Sequence, residues 1–197
     1  MTHTDSPDLP DQLSSTDRQT LLRLARQAIM AIITGQPMPS LDRQFLSNPL
    51  RQEGTCFVTL TINGNLRGCI GGLEARQPLY ADVIEHAMAS ATEDYRFSPV
   101  QPDELSLISI EISHLTIPQP LEYDNPQDLP RLLKPGIDGV VLKDGMRRAT
   151  FLPQVWEKVP EPEIFLSMLC NKMGVASDTW KHHKLEVLIY HVEEFHE

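Results

Sequence analysis

Runs of lysine or arginine are missing from this sequence of 197 residues, in which 17 basic residues are outnumbered by 27 acidic ones for a formal net charge of −10. General affinity for nucleic acid or for an anionic membrane surface needs clustered positive charge, so both partner classes are disfavoured. No apolar stretch approaches the roughly 18–20 residues that a membrane-spanning helix requires. Cysteines number three, Cys56, Cys69 and Cys170, an odd count without a CxxC pair. That argues against a disulfide framework and for a reducing, cytoplasmic location. Phosphate-binding GxGxxG and Walker loops are missing, as is HExxH. His182-His183, His191 and His196 crowd the C-terminal part without matched Cys/His spacing, so neither a metal nor a cofactor is expected. The opening MTHTDSPDLPDQLSS is polar and acidic, and residues 1–14 read as a mobile arm rather than a signal peptide.

What is present is a series of short, well-punctuated elements. Thr16 and Gln19 fit a capping box opening a helix over 16–34, with Leu21, Leu24, Ala25, Ala28 and Ile32 on its apolar face and Gly35 as its stop. The following QPMPSLDRQFLSNPL reads as loop. CFVTLTI and LRGCI flank Asn63-Gly64, a strong hairpin signal. A three-residue loop pairs Leu60 with Gly68 and Val58 with Ile70 on an apolar face, and Thr61 with Arg67 and Thr59 with Cys69 on a polar one. A two-residue loop mixes the faces, so the three-residue register is predicted.

That register places Arg67 and Cys69 on one face, roughly 7 Å apart. Glycine weakens strand interiors, yet LRGCIGG carries Gly68, Gly71 and Gly72. Gly68 on the apolar face admits close approach of another element, and Gly71-Gly72 form a permissive bend. A helix is predicted over about 78–93, ended by TEDYRFSP, and ELSLISIEISHLTI alternates as a strand. Residues 117–136, with five prolines, read as a connecting excursion. GVVLKDGMRRATFL is a second hairpin around Asp144-Gly145, and EPEIFLSMLCNKMG a helix closed by Gly174. LEVLIYHV is a strand before a charged tail in which Glu193 and Glu194 read as solvated. Hairpins and helices without regular βαβ alternation indicate an α+β fold.

LRGCIG (66–71), Asp94-x-Arg96-Phe97-x-Pro99 and FLPQVW (151–156) together resemble the AMME-syndrome critical-region family, the AMMECR domain, also called AmmeMemoRadiSam system protein A. FVTL, GIDGVVL, the FLxxLxxKxG pattern at 165–174 and Trp180 continue the likeness over roughly residues 15–195. The resemblance implies one AMMECR-type domain of two lobes, largely antiparallel hairpins packed with helices, with LRGCIG bordering an inter-lobe cleft. It also implies a link with Memo-like, dioxygenase-type proteins and radical SAM proteins, and no settled biochemical activity. Tyr95 and Ser98 stand where members often carry proline, so a rigid loop is not implied here.

Cys69 is the candidate catalytic residue, as a nucleophile or redox thiol beside Arg67 and glycine amides. Arg67, Gly68, Gly71, Asp94, Arg96 and Gln154 are the candidate binding residues. Arg67 is suited either to a bidentate anion contact or to pairing with Asp94 or Glu74. Arg96 is suited to binding or to capping carbonyls, and Gln154 to fixing a ligand or tying down a turn. Two functional readings stand open. One is a binding or adaptor subunit working with Memo-like and radical SAM proteins. The other is an enzyme acting on a small molecule or peptide group. Nucleic-acid-linked regulation ranks last on charge.

Overall fold

The computed structural model describes residues 13–38 and 41–197. Its elements, in chain order, are α1 (Ser15–Thr34), α2 (Asn48–Arg51), β1 (Glu53–Ile62), β2 (Asn65–Gly71), β3 (Gln77–Pro78), α3 (Leu79–Thr92), β4 (Ile108–Leu115) and β5 (Gln119–Pro120). The chain continues with α4 (Leu129–Leu132), β6 (Gly139–Asp144), β7 (Arg147–Phe151), α5 (Pro162–Met173), α6 (Thr179–His182), β8 (Glu186–Tyr190) and β9 (Val192–His196). Helices on antiparallel sheets make this an α+β protein. Among the described residues no helix is long and apolar enough to cross a membrane.

The chain divides into two compact units, one ending at Leu115 and regaining Glu193–Glu197, the other Thr116–Val192. In the first unit a sheet runs in the order β2-β1-β4-β9, with β3 also on β1. Val58, Leu60, Ile108, Ile110 and Ile112 point from it into a core completed by α1 and α3. Each such buried aliphatic side chain contributes about 1.5–3 kcal/mol relative to leaving it in water.

Of the arm expected over residues 1–14, positions 1–12 lie outside the described residues. Leu13 is buried at 2% exposure, and Ser14 caps α1. The capping box is Ser14 with Asp17, not Thr16 with Gln19. Ser14 Oγ accepts the Asp17 N–H at 3.1 Å, and the Asp17 carboxylate accepts the Ser14 N–H at 3.2 Å. An acidic side chain in the first turn also suits the positive end of the helix dipole. Within the helix Ile29, not Ile32, is buried in the core. Gly35 ends it in the left-handed conformation, φ 67°.

The β1–β2 hairpin combines both registers that the sequence allows. Asn63 and Gly64 have positive φ, 51° and 76°, the signature of a two-residue type I′ turn, and Ile62 pairs with Asn65. A bulge then shifts the ladder, and beyond it Leu60 faces Gly68, Thr59 faces Cys69 and Val58 faces Ile70. The predicted pairs at Gly68, Cys69 and Ile70 therefore hold, but through a bulge rather than a longer loop. Thr61 stands opposite Leu66, and Arg67 is the extra residue of the bulge, without a partner across the ladder.

The second unit is built on the sheet β5-β8-β6-β7. Asp144 pairs with Arg147, so Gly145 (φ 59°) and Met146 form the turn, one position later than the sequence reading. Trp156 stacks on Phe165 with centroids 3.6 Å apart and donates its indole N–H to Asp138 O at 2.7 Å. FLPQVW thus anchors the core of this unit. After β8 the expected charged tail is a strand instead: β9 joins β4, and Phe195 enters the first core. Glu193 is not solvated, because it accepts the Leu13 N–H at 3.3 Å and pairs with Arg18 at 2.6 Å.

Candidate functional site

The site candidates in the first unit converge on β2 and the turn that follows α3. Why β2 tolerates glycine is now explicit. A Cβ on Gly68 would lie 2.1 Å from Ser90 O on α3, and one on Gly71 would lie 2.4 Å from Cys56 O. Helix backbone therefore presses directly on the strand. Ser90 uses this closeness: its hydroxyl donates to Val58 O at 2.7 Å and accepts the Ile70 N–H at 2.9 Å, bridging two residues paired across the hairpin.

On the outer side of β2, Asp94 and Arg96 grip the backbone of Cys69. Asp94 Oδ2 accepts the Cys69 N–H at 2.9 Å, and Arg96 Nη2 donates to Cys69 O at 3.4 Å. The same two side chains form a forked pair, Arg96 Nη2 to Asp94 Oδ2 at 2.7 Å and Nε to Oδ1 at 2.9 Å. These bonds, with the Arg96 guanidinium foremost, outweigh burial and hold the Asp94 carboxyl far below the usual carboxylate range. Asp94 is 5% exposed while the Arg96 side chain is 44% exposed.

Arg67 pairs with neither Asp94 nor Glu74, the partners considered from sequence. Its guanidinium donates to Glu104 through Nε at 2.7 Å and Nη2 at 2.9 Å, and through Nη1 to Ser98 O at 2.9 Å. Glu104 also accepts the Gln101 N–H at 2.8 Å. Hydrogen bonding to Glu104 raises the Arg67 pKa, and the Arg67 bonds lower that of Glu104. Arg67 thus ties the bulge to the segment 98–104. Glu104 and Ser90 were missed in the sequence, because no spacing rule links them to LRGCIG. The acidic N3 position of the 3-10 turn Pro102–Glu104 was the available hint.

The Cys69 thiol is half-buried, and Sγ accepts a hydrogen bond from Thr59 Oγ1 at 3.3 Å. Among the described residues no histidine or carboxylate hydrogen-bonds to this sulfur, so a proton acceptor for nucleophilic chemistry is not in place. Two large side chains of the neighbouring segments are exposed, Tyr95 at 95% and Leu66 at 43%. Gln154 belongs to the second unit, on the 3-10 turn Pro153–Glu157. Its Oε1 is buried without a hydrogen-bond partner among the described residues, so this oxygen does not tie down the turn.

Metal-ligand spacing is invisible in the chain, yet the fold brings Cys56, Asp82 and His86 together, with one ligand atom from each inside a 4.8 Å span. His191, one of the C-terminal histidines without matched Cys/His spacing, faces the buried Asp138 at 3.2 Å.

A family profile described as AMMECR1 matches residues 22–195. A protein of Methanothermobacter thermautotrophicus is 40% identical over 186 residues, covering 94% of this chain and 96% of its own. One from Thermofilum pendens is 36% identical over 195 residues, covering 93% and 91%. The crystal structure of an uncharacterised protein from Pyrococcus horikoshii superposes with a TM-score of 0.83 at 32% identity, covering 94% of this chain and 93% of that one.

Proposed function

Because the chain belongs to the AMMECR1 family, we propose that it is a binding or adaptor subunit, docking a protein partner on the surface formed by LRGCIG and residues 94–99. The observation that carries this reading is a division of labour. Arg67, Asp94 and Arg96 are engaged by internal partners, so they build a rigid platform. Two of the groups presented outward, Tyr95 and the open side of Arg96, are of the types that anchor protein interfaces, and Leu66 is exposed as well. The Memo-like and radical SAM proteins with which the family is linked are the partners to test first.

The test is binding of the purified chain to each of these two proteins from the same organism. Retention of the wild-type chain, weakened at least about tenfold by Tyr95→Asp, corresponds to loss of about 1.4 kcal/mol or more and supports the reading. No binding to either protein, or binding indifferent to Tyr95→Asp, refutes it. The alternative is an enzyme using Cys69, and it draws on the partial exposure of that thiol. It needs a base beyond the hydrogen-bond partner of the sulfur found among the described residues, the Thr59 hydroxyl. Nucleic-acid regulation is disfavoured by the net charge of −10.

A further inference from the structure

A polar corner between β1 and α3 adjoins the Gly71 end of LRGCIG, where a Cβ on Gly71 would lie 2.4 Å from Cys56 O. Asp82 and His86 lie one turn apart on α3, and Cys56 lies beneath them on β1. His86 Nδ1 is 3.0 Å from Asp82 Oδ2 and 3.9 Å from Cys56 Sγ. Both neighbours therefore approach the same ring nitrogen. A Cys–His–Asp relay needs the thiol on one nitrogen and the carboxylate on the other, and Cys56 is wholly buried at 0% exposure. Nucleophilic catalysis does not fit this arrangement. Convergence of sulfur, nitrogen and oxygen on one point is what a shared cation requires.

The distances suit such an ion. Zinc bonds of about 2.3 Å to sulfur and 2.0–2.2 Å to nitrogen and oxygen, at tetrahedral angles, separate ligand atoms by about 3.3–3.6 Å. The observed 3.0 and 3.9 Å bracket that range, and all three ligand atoms lie within 4.8 Å of one another, so closure by no more than about 1.5 Å completes the geometry. Asp82 is already oriented, since Oδ2 accepts the Cys56 N–H at 2.9 Å. Supporting hydrogen bonds of this kind fix ligands in metal sites. A further polar group next to Cys56 on β1 is buried and unsatisfied. Thr55 is 3% exposed, and its hydroxyl has no hydrogen-bond partner among the described residues. Buried polar groups without partners are rare. The space where a Cβ on Gly72 would stand lies 3.2 Å from this hydroxyl and 3.6 Å from His86 Cε1, so glycine leaves room there.

We propose that Cys56, Asp82 and His86 form a three-ligand site for a borderline divalent transition metal, zinc above all, with a fourth position open to water. Thiolate with imidazole selects this class over magnesium or calcium. Two anionic ligands, a thiolate and a carboxylate, balance the charge of the ion. Binding breaks the Cys56 S–H bond, releases that proton to solvent and leaves the imidazole proton on Nε2. In the metal-free chain, burial and the Asp82 carboxylate push the thiol pKa well up. The ion supplies the compensation that deprotonation needs. His114, opposite Cys56 on β4, adds little competing positive charge because burial lowers its pKa against the pull of Glu193.

The test is titration of the metal-free full-length chain with cobalt(II) alone, followed by absorbance. The expected result is one equivalent bound, with a near-ultraviolet thiolate-to-cobalt band and tetrahedral visible bands. Cys69→Ser keeps both features. Cys56→Ser loses the charge-transfer band, and His86→Ala weakens binding by more than the roughly 10- to 100-fold cost of losing a supporting partner. Circular dichroism of each variant verifies folding. Should Cys56→Ser not fold, the second readout is the charge-transfer band of the Cys69→Ser/Cys170→Ser double variant, in which Cys56 is the one remaining thiol and the band should persist. Absence of stoichiometric binding, cobalt bound without a thiolate band, or a band lost in Cys69→Ser but kept in Cys56→Ser would each overturn the proposal.

Discussion

Asp94 Oδ2 accepts the Cys69 backbone N–H at 2.9 Å while Arg96 holds the same carboxylate, so strand β2 and the turn after α3 move as one piece. Hydrogen bonds to charged groups contribute about 1.5–3 kcal/mol each. Asp94→Asn is therefore expected to lower unfolding stability at pH 7 by about 2 kcal/mol, measured by urea titration. The Asp94 pKa is lowered in the native state, so its contribution is fully present above the unfolded value of about 3.9. It fades as pH falls below that value toward the native one. The gap between wild type and Asp94→Asn should then narrow at pH 3, and a gap independent of pH would contradict this account.

Gly68 and Gly64 are expected to respond differently to alanine. At Gly68 the new methyl group meets Ser90 O at 2.1 Å, which is helix backbone and cannot swing aside. Overpacking of this kind costs about 1–3 kcal/mol or more. At Gly64 nothing lies within 4 Å, and only the positive φ of 76° opposes the change, a penalty of about 1 kcal/mol. Thermal denaturation of the two variants, with Gly68→Ala the less stable, checks the order.

Arg67 and Glu104 share two hydrogen bonds with side chains only 16% and 24% exposed. A double-mutant cycle with alanine at both positions should give a coupling above the roughly 0.2–1 kcal/mol typical of exposed ion pairs. Arg67→Lys should recover only part of it, because an ammonium cannot reproduce the fork. Full rescue by lysine would show that charge alone matters.

Native-state alkylation should separate the three cysteines. Cys56 and Cys170 are buried at 0% exposure, and burial raises both thiol pKa values. Cys69 is half-buried. Iodoacetamide followed by peptide mass spectrometry should mark Cys69 first, with the other two modified only on unfolding. Equal rates at all three would mean that the described packing does not hold in solution.

Much of this was legible in the chain. The Asn63-Gly64 turn, the alternation of Ile108, Ile110 and Ile112, and the close packing at Gly68 follow from backbone sterics and period-two burial, which are local rules. What escaped was non-local or nearly degenerate. Ser14 with Asp17 and Thr16 with Gln19 are overlapping capping patterns, and tertiary burial of Leu13 and Ile29 chose between them. The bulge at Arg67 leaves no composition signal, since it preserves the facing pairs on one side and alters them on the other. VEEFH reads as a charged tail because two adjacent glutamates break alternation, yet Glu193 is satisfied by Leu13 and Arg18, residues distant in sequence. Cys56, Asp82 and His86 come together only once β1 lies under α3.

The grip of Asp94 and Arg96 on Cys69 has one more effect. β2 ends the sheet order β2-β1-β4-β9, and an end strand ordinarily offers its outward amide and carbonyl groups to any passing extended chain. At Cys69 both groups are occupied by side chains of the same molecule. An ion pair stands in for a neighbouring strand, so foreign sheet addition is blocked at that position. Loss of both side chains would unlock the edge, and the first sign would be self-association in concentrated solution before any loss of fold.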